Sequence, residues 1–275
     1  MSATRLLSLG CVLALALEPR VPLRAQAPAA VDTASPRTRP PAFRRRDAVL
    51  GGAVLLAIAA APIVDKPVSR ELLEEDQRGN RELRRASIIG SAIGGVGPLA
   101  LSTSLYAAGR LAKRRRVERL GIAMGEAVLA SGAVGLAVKG VVGRERPSAA
   151  PGKPDILRVG QGFSQTRYAS FPSGHTSAAF ACATVLLADT ADVPRAARRI
   201  VAPIGFAAAA FVGLSRIYRD QHWASDVAVG AALGVVAGDV ATRGRLPGAA
   251  ALERALVHTS VLRTPRGVGV AWSLR

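Results

Sequence analysis

The chain has 275 residues, enough for one sizeable domain, and 49% of them are hydrophobic. A mean hydropathy of +0.26 and apolar runs along most of the length favour a membrane protein over a soluble one. A net charge of +18 would suggest nucleic-acid binding in a soluble chain. The basic residues lie mainly between apolar runs, as is typical of a protein oriented in a bilayer, and no nucleic-acid-binding motif accompanies them. We therefore expect no nucleic-acid partner.

The N-terminal residues predict an export-related segment and a linker. Residues 1–27 contain Arg5, a short apolar stretch and an Ala-x-Ala sequence that ends at Ala27, all typical of a secretory signal. Pro28 directly after that sequence is unfavourable for cleavage, so the segment is interpreted as signal-like or uncleaved. Residues 28–47 are rich in Pro, Arg and Ala and predict a basic linker without catalytic residues.

Apolar segments of about 15 to 26 residues follow and predict about six transmembrane helices. They lie near 48–64, 87–109, 117–142, 174–190, 200–214 and 226–242. We therefore expect an all-α polytopic membrane helix bundle over residues 48–242. The charged residues 65–86 suit a solvated surface helix without a catalytic cluster, and the tail 243–275 is uninformative.

Basic clusters predict the orientation of these helices. Lys and Arg are retained on the cytoplasmic side of a membrane, and four clusters then agree with one topology. The clusters are 44–46, 113–116, 195–199 and 243–245. The loops expected outside are 65–86, 143–173 and 215–226. We expect a bacterial cytoplasmic membrane protein with a site on the periplasmic or extracellular side, because three polar stretches lie at the outer ends of the helices.

The first polar stretch is KGVVGRERP, residues 139–147. Lys139 lies near the end of an apolar helix, where an ammonium group is costly without a partner. Arg146 is seven residues further, two turns along the same face if the helix persists, and Pro147 biases it out of the helical region. Two cations would point to one place. The alternative is a snorkelling Lys and ordinary interfacial Arg residues.

The second polar stretch is PSGH, residues 172–175. Ser173 is a candidate N-cap, and Gly174 lets backbone N–H groups approach a ligand. Because a helix N-terminus attracts anions, His175 in the first turn would lie beside an anion and could exchange a proton with it. The alternative is a capped helix with a surface histidine.

The third polar stretch is SRIYRDQHWASD, residues 215–226. His222 and Asp226 are four residues apart, so a shared helix face would let the carboxylate accept from one imidazole nitrogen and leave the other free to attack. Arg216 adds a guanidinium suited to phosphate. The alternative for His222 and Asp226 is a structural hydrogen bond.

Two other chemistries are less compatible with these residues. The nearby cations would repel a divalent ion from a metal site made of His175, His222 and Asp226. A Ser-His-Asp hydrolase using Ser173 or Ser215 lacks the G-x-S-x-G motif and does not explain the cations. An anionic phosphoryl substrate explains all of them, and no metal or other cofactor is expected.

Together, K-x6-RP, PSGH and SR-x5-H-x3-D resemble the three-part signature of the type 2 phosphatidic acid phosphatase (PAP2) superfamily, which includes vanadium haloperoxidases. The resemblance covers roughly residues 117–242, and the helix layout is similar to the membrane lipid phosphatase branch. It implies that His222 is a nucleophile oriented by Asp226 and that His175 is the acid for the leaving group. It implies phosphate contacts by a further set of residues: Lys139, Arg146, Ser173, Gly174 and Arg216.

The leading hypothesis is a metal-independent phosphatase that acts on a lipid phosphate or diphosphate at the outer face of the membrane through a phosphohistidine. A soluble-type periplasmic acid phosphatase and a vanadium-dependent haloperoxidase are the alternatives in the same superfamily. Membrane lipids and a lipid phosphate substrate are the expected partners. The sequence does not identify the lipid, which could be undecaprenyl diphosphate among others, or the oligomeric state.

Overall fold

The structure, a computed structural model, describes residues 63–68, 80–189, 195–244, 259–264 and 267–272. Side chains are described for 63–68, 80–189 and 199–244. The predicted N-terminal segment, the basic linker and most of the first apolar segment lie outside the described residues.

Helices make up most of the described part, so the all-α prediction is confirmed. Six helices are labelled in chain order: α1 (Arg81–Gly95), α2 (Gly97–Leu111), α3 (Arg115–Val142), α4 (Gly174–Asp189), α5 (Arg195–Tyr218) and α6 (Ala224–Thr242). Residues 63–68 are also helical, and two short 3-10 helices, Gln161–Phe163 and Thr166–Tyr168, lie between α3 and α4. The tail contains an antiparallel hairpin of β1 (Thr259–Thr264) and β2 (Gly267–Trp272), which the sequence of the tail did not predict.

Among the described residues, three helical stretches are long and apolar enough to cross a membrane: α3, Arg199–Tyr218 within α5, and α6. The predicted span 87–109 is broken instead into α1 and α2, which are bent by 51° and together qualify as a fourth span. The break falls at Val96, just before Pro98, which lacks the N–H that a continuous helix needs. Helix α4 has 16 residues and is short for a span. The number of six spans therefore stays a prediction.

Helix α4 lies at the centre of the bundle and packs against α3, α5 and α6, while α2 packs on α3 and α1 on α5. The buried core lies mainly between α3, α4 and α6 and includes Met124, Ala127, Ala181, Val185 and Ala241. Other positions of α3 expose large apolar side chains, as expected where a helix faces lipid rather than water. They are Leu129, Val134, Leu136 and Val141.

Helices α2 and α3 cross so closely that glycine is required at the crossing. A Cβ atom on Gly121 would lie 2.4 Å from the backbone nitrogen of Tyr106 and 2.7 Å from the carbonyl oxygen of Ser102. The Ser102 hydroxyl donates to the Gly121 carbonyl oxygen at 2.9 Å and fixes the crossing. Because backbone atoms cannot move aside as a side chain can, even one added methyl group forces the helices apart.

We expect Gly121→Ala to lower the free energy of unfolding by about 1–3 kcal/mol, the usual cost of overpacking. Gly132→Ala is the matched control, because it lies on the same helix and an added Cβ would meet nothing within 4 Å. The control should leave the free energy of unfolding unchanged or raise it by up to about 1 kcal/mol, because alanine has a higher helix propensity than glycine. Thermal unfolding in detergent measures both. Equal midpoints for the two variants would contradict the close crossing.

Candidate active site

The three polar stretches meet at one end of the bundle, where α3 ends, α4 begins and α5 connects to α6. The Ser173 amide donates to the Asp226 carbonyl oxygen at 2.9 Å, and the Ser148 amide to that of Asp220 at 3.0 Å. Arg146 donates to the Gln221 carbonyl oxygen at 3.0 Å. The structure thus brings together the stretches that the sequence topology placed in one layer.

Helix α3 ends at Val142, four residues before Arg146. Gly143 has a φ of 60°, and an added Cβ would lie 1.7 Å from the Arg158 carbonyl oxygen. The Arg158 amide in turn donates to the Gly143 carbonyl oxygen at 2.8 Å. Because the chain turns here in a conformation that favours glycine, the helix does not persist to Arg146, and the predicted segment end at 142 is confirmed. Arg146 reaches the site from the loop between α3 and α4.

Lys139 and Arg146 are held by oxygen atoms that carry no formal charge. Lys139 Nζ donates to the carbonyl oxygens of Ala169 at 3.1 Å and Ser170 at 3.3 Å, and also to that of Pro172. Arg146 donates to the Thr166 carbonyl oxygen at 2.8 Å and, through Nη1, to both oxygens of Gln221 at 3.0 Å. Since these acceptors orient the cations without neutralising them, both charges can act on an anion.

Burial lowers the pKa of Arg146 below its ordinary value, and the Asp226 carboxylate opposes this shift. An arginine remains charged at neutral pH even so.

Ser173 is the N-cap residue of α4. Its carbonyl oxygen accepts the first helical bond, from the Ser177 amide at 3.0 Å, and its buried hydroxyl lies 2.8 Å from the Thr176 hydroxyl. An added Cβ on Gly174 would meet nothing within 4 Å, so the first turn of α4 is open on that side. Amides in the first turn of a helix have no carbonyl partner in their own helix. The open end of α4 therefore offers N–H donors to an anion.

His175 stands in the first turn of α4 beside the glycine pair of α1. A Cβ on Gly95 would lie 3.3 Å from His175 Nε2, and a Cβ on Gly94 would lie 3.3 Å from the His175 Cβ. The small residues before the α1–α2 bend thus leave room next to the imidazole. The charges of Arg216, Lys139 and Arg146 act on His175, in that order of strength, so the imidazole lies within a cluster of three cations.

Arg216 completes this cluster from the end of α5. Its Nη1 donates to the Ser91 hydroxyl on α1 at 3.0 Å. Its Nε is buried and has no hydrogen-bond partner within the described part of the chain. Buried donors are nearly always satisfied in proteins, so an unsatisfied one at a cluster of cations is consistent with a site for an anionic ligand.

His222 precedes α6, which begins at Ala224, so the interpretation that His222 and Asp226 share a helix face is wrong. The two side chains are nevertheless neighbours, with His222 Nδ1 3.7 Å from Asp226 Oδ2. This exceeds a hydrogen bond, and Nδ1 has no partner among the described residues.

Burial, with smaller contributions from the charges of Lys139 and Arg146, lowers the pKa of His222 to about 4, while Asp226 opposes the shift. The imidazole is therefore neutral at pH 7, the form in which one ring nitrogen has a free lone pair.

Asp226 is held by three donors that sequence reasoning did not identify. Arg144 Nη1 donates to Oδ1 at 2.6 Å, while the Ser170 hydroxyl at 2.5 Å and the Trp223 amide at 2.9 Å donate to Oδ2. The signal for Arg144 was its place between Lys139 and Arg146, since a third cation there needs a buried acceptor.

Arg144 also donates to Asp65 at 2.7 Å. Asp65 is fully buried, so the interpretation of residues 65–86 as a solvated surface segment is wrong at this position.

Comparisons with known proteins agree with this geometry. A model of the PAP2 superfamily matches residues 120–246, which contain all three polar stretches. A lipid A 1-phosphatase of Porphyromonas gingivalis is 46% identical over 71 residues, which cover 26% of this chain and 15% of that protein.

Two solved structures are similar to the chain. One is the crystal structure of a transmembrane PAP2 type phosphatidylglycerolphosphate phosphatase from Bacillus subtilis, with a TM-score of 0.56 and 20% identity over 71% of this chain and 94% of that one. The other is that of Aquifex aeolicus LpxE, with a TM-score of 0.41 and 23% identity over 57% of this chain and 85% of that one.

The three kinds of similarity support different conclusions about the chain. The chain matches only 15% of the length of its curated relative, so that protein's activity is not thereby the activity of this chain. The likeness to the Bacillus subtilis structure shows a shared fold. With the long apolar helices, that fold makes this a multi-pass membrane protein. The family match spans the motif residues that the sequence pattern singled out, and residues 120–246 are therefore similar to the PAP2 superfamily in the part of the chain that carries the site.

Proposed function

We propose that the chain is a metal-independent phosphatase that hydrolyses a lipid phosphate or lipid diphosphate through a phosphohistidine intermediate. One observation carries the proposal: the charges of Lys139, Arg146 and Arg216 all act on His175 at the open N-terminus of α4. Two of them, Lys139 and Arg146, are oriented by uncharged acceptors, and Arg216 keeps a buried donor without a partner. A phosphoryl group has the charge and the acceptor oxygens that such a site requires.

In the first step, Lys139, Arg146 and Arg216 hold the oxygens of the phosphoryl group, together with the Ser173 hydroxyl and the Gly174 amide. The neutral imidazole of His222 attacks phosphorus, and the bond from phosphorus to the ester oxygen breaks. The negative charge of the bound phosphoryl group offsets the three cations and favours protonated His175, which gives its proton to the departing alkoxide. The positive charge around the site stabilises the negative charge on the equatorial oxygens in the transition state.

In the second step, His175 takes a proton from water, whose oxygen attacks the phosphorus atom of phosphohistidine. The bond from phosphorus to nitrogen breaks, inorganic phosphate leaves and His222 is restored. Asp226 orients His222 through Nδ1, and the 3.7 Å separation shortens in the substrate complex. Catalytic hydrogen bonds are often long in the absence of substrate, so this distance is compatible with the role.

The site lies at the ends of α3 and α6, which are long enough to span a bilayer. A lipid headgroup lies at that level, and this favours a lipid phosphate over a soluble ester. We place the protein in the bacterial cytoplasmic membrane with the site on its outer face, because four basic clusters then remain on the cytoplasmic side.

The test is phosphate release by the purified protein in detergent with EDTA present. The panel is phosphatidic acid, phosphatidylglycerophosphate, undecaprenyl diphosphate and lipid A, and we expect turnover of at least one of them. The names of the similar proteins place lipid A and phosphatidylglycerophosphate on the panel.

Three outcomes contradict the proposal in different ways. Loss of activity in EDTA would contradict the metal-independent mechanism. Halide oxidation with vanadate and peroxide, without phosphate release, would favour the haloperoxidase alternative. Turnover of soluble esters only, by protein that an alkaline wash removes from membranes, would favour the soluble-type phosphatase.

A further inference from the structure

Asp65 lies in a buried hydrogen-bond network that ends at Asp226, beside the predicted nucleophile His222. Its Oδ1 accepts from the Ser225 amide at 2.8 Å, and its Oδ2 accepts from the Ser225 hydroxyl at 2.6 Å and from Arg144 Nη2 at 2.7 Å. Arg144 Nη1 donates in turn to Ser225 Oγ at 2.7 Å and to Asp226 Oδ1 at 2.6 Å. Asp65 and Asp226 are fully buried, and Arg144 is 5% exposed.

The network contains one positive and two negative side chains. One guanidinium lies between two buried carboxylates, and its remaining hydrogen bonds go to the uncharged Pro154 carbonyl oxygen and Ser225 hydroxyl. Arg144 therefore divides its charge between Asp65 and Asp226. Without the charge of Asp65, the whole guanidinium charge would act on Asp226 and reduce the negative potential that Asp226 exerts on His222.

We infer that Asp65 is a positioning residue for His222, acting through Arg144 and Ser225 on the orientation and charge of Asp226. The inference rests on the proposed function, in which His222 attacks phosphorus. Asp65 belongs to residues 63–68, outside the matched PAP2 domain at 120–246. A segment that precedes the domain in sequence thus completes the support of its catalytic centre.

The alternative is that Asp65 is only a structural partner of Arg144. Breaking a buried ion pair lowers stability whether or not the pair serves catalysis, so stability alone does not distinguish the two roles. They differ in what happens to the folded enzyme. A structural role changes the amount of active protein, whereas a positioning role changes the rate of each active molecule and its dependence on pH.

The decisive variant is Asp65→Asn, which keeps the shape and the Oδ1 acceptor for the Ser225 amide while removing the charge. We expect kcat to fall by about 10–100-fold with KM within about twofold, as for a change that acts on the transition state rather than on substrate binding. Asp155→Asn is the matched control. It removes a carboxylate that is exposed and directly follows Pro154, and it should leave both constants unchanged.

The pH profile supplies the second measurement. The charged groups that act on His222 are Asp226 on α6, Lys139 on α3 and Arg146 in the loop that follows α3. Neutralising Asp65 makes the potential at His222 more positive, so the imidazole loses its proton more readily. The acid limb of kcat should move to lower pH by about half a unit or more, given the strength of charge interactions in a buried site. A smaller amount of folded enzyme would lower kcat equally at every pH.

An unchanged kcat, a loss expressed mainly in KM, or an acid limb that stays in place would each overturn the inference. If Asp65→Asn does not accumulate as folded protein, Asp65→Glu decides, because it keeps the charge on a longer side chain. A lower kcat at unchanged KM in folded Asp65→Glu supports positioning, and wild-type kinetics overturn it.

Different results would refute the proposed function and the positioning role of Asp65. It fails if the wild-type protein releases no phosphate or if His222→Ala retains activity. An active wild type and an inactive His222→Ala, combined with wild-type kinetics in Asp65→Asn, would overturn the positioning role alone.

Discussion

Replacing His222 by alanine is expected to lower kcat by about 10⁴-fold or more, the scale seen when a nucleophile is removed from a catalytic group that acts as a unit. The three cations and the N-terminus of α4 remain, so substrate binding should change little. The variant should also fold, because Nδ1 of this side chain has no hydrogen-bond partner in the described part of the protein. Phosphate release and KM in detergent measure the two effects.

Covalent trapping tests whether His222 is the residue that carries the phosphoryl group. A phosphohistidine is labile to acid and stable to alkali, which distinguishes it from the alkali-labile phosphate of an aspartate. Radiolabelled lipid phosphate should label the wild-type protein but not His222→Ala. His258, the histidine outside the motifs, provides the control, and His258→Ala should be labelled as the wild type is. Labelling of His222→Ala, or alkali-labile labelling of the wild type, would refute the proposed intermediate.

His175→Ala is expected to have the second-largest effect, a loss of about 10²–10⁴-fold with a lipid phosphate, the usual contribution of a general acid and base. Lipid alkoxides are poor leaving groups and need the proton that His175 would supply. Nitrophenolate leaves without a proton, so p-nitrophenyl phosphate should react with His222 of this variant much faster than the lipid does. The phosphohistidine that forms in the variant should persist, because the missing His175 would also activate the water of the second step.

The expected observation is a burst of nitrophenolate, equal in amount to the enzyme, followed by slow turnover. The double variant His175→Ala with His222→Ala should show no burst, since it lacks the proposed nucleophile. An equal loss for both substrates without a burst would contradict the role of His175 in protonating the leaving group, while leaving the role of His222 intact.

The sequence alone determined the parts of this protein that depend on local pattern. Apolar runs near 117–142, 200–214 and 226–242 predicted α3, α5 and α6 to within a few residues at most ends, because a helix in lipid must be apolar over a fixed length. The three motifs predicted which polar residues meet, since helices of alternating direction place their connecting loops at one end of a bundle. The resemblance to the PAP2 superfamily followed from the same spacing.

Only the tertiary structure decided how those residues are held. Gly143 ends α3 because the Arg158 carbonyl oxygen occupies the space of a side chain, and a contact between positions fifteen apart is not visible in a local pattern. Asp65 is buried against Arg144 although they are 79 positions apart, and the charged sequence around Asp65 resembles a surface helix. Spacing shows which groups share an element, whereas the partner of a buried charge depends on which distant element packs over it.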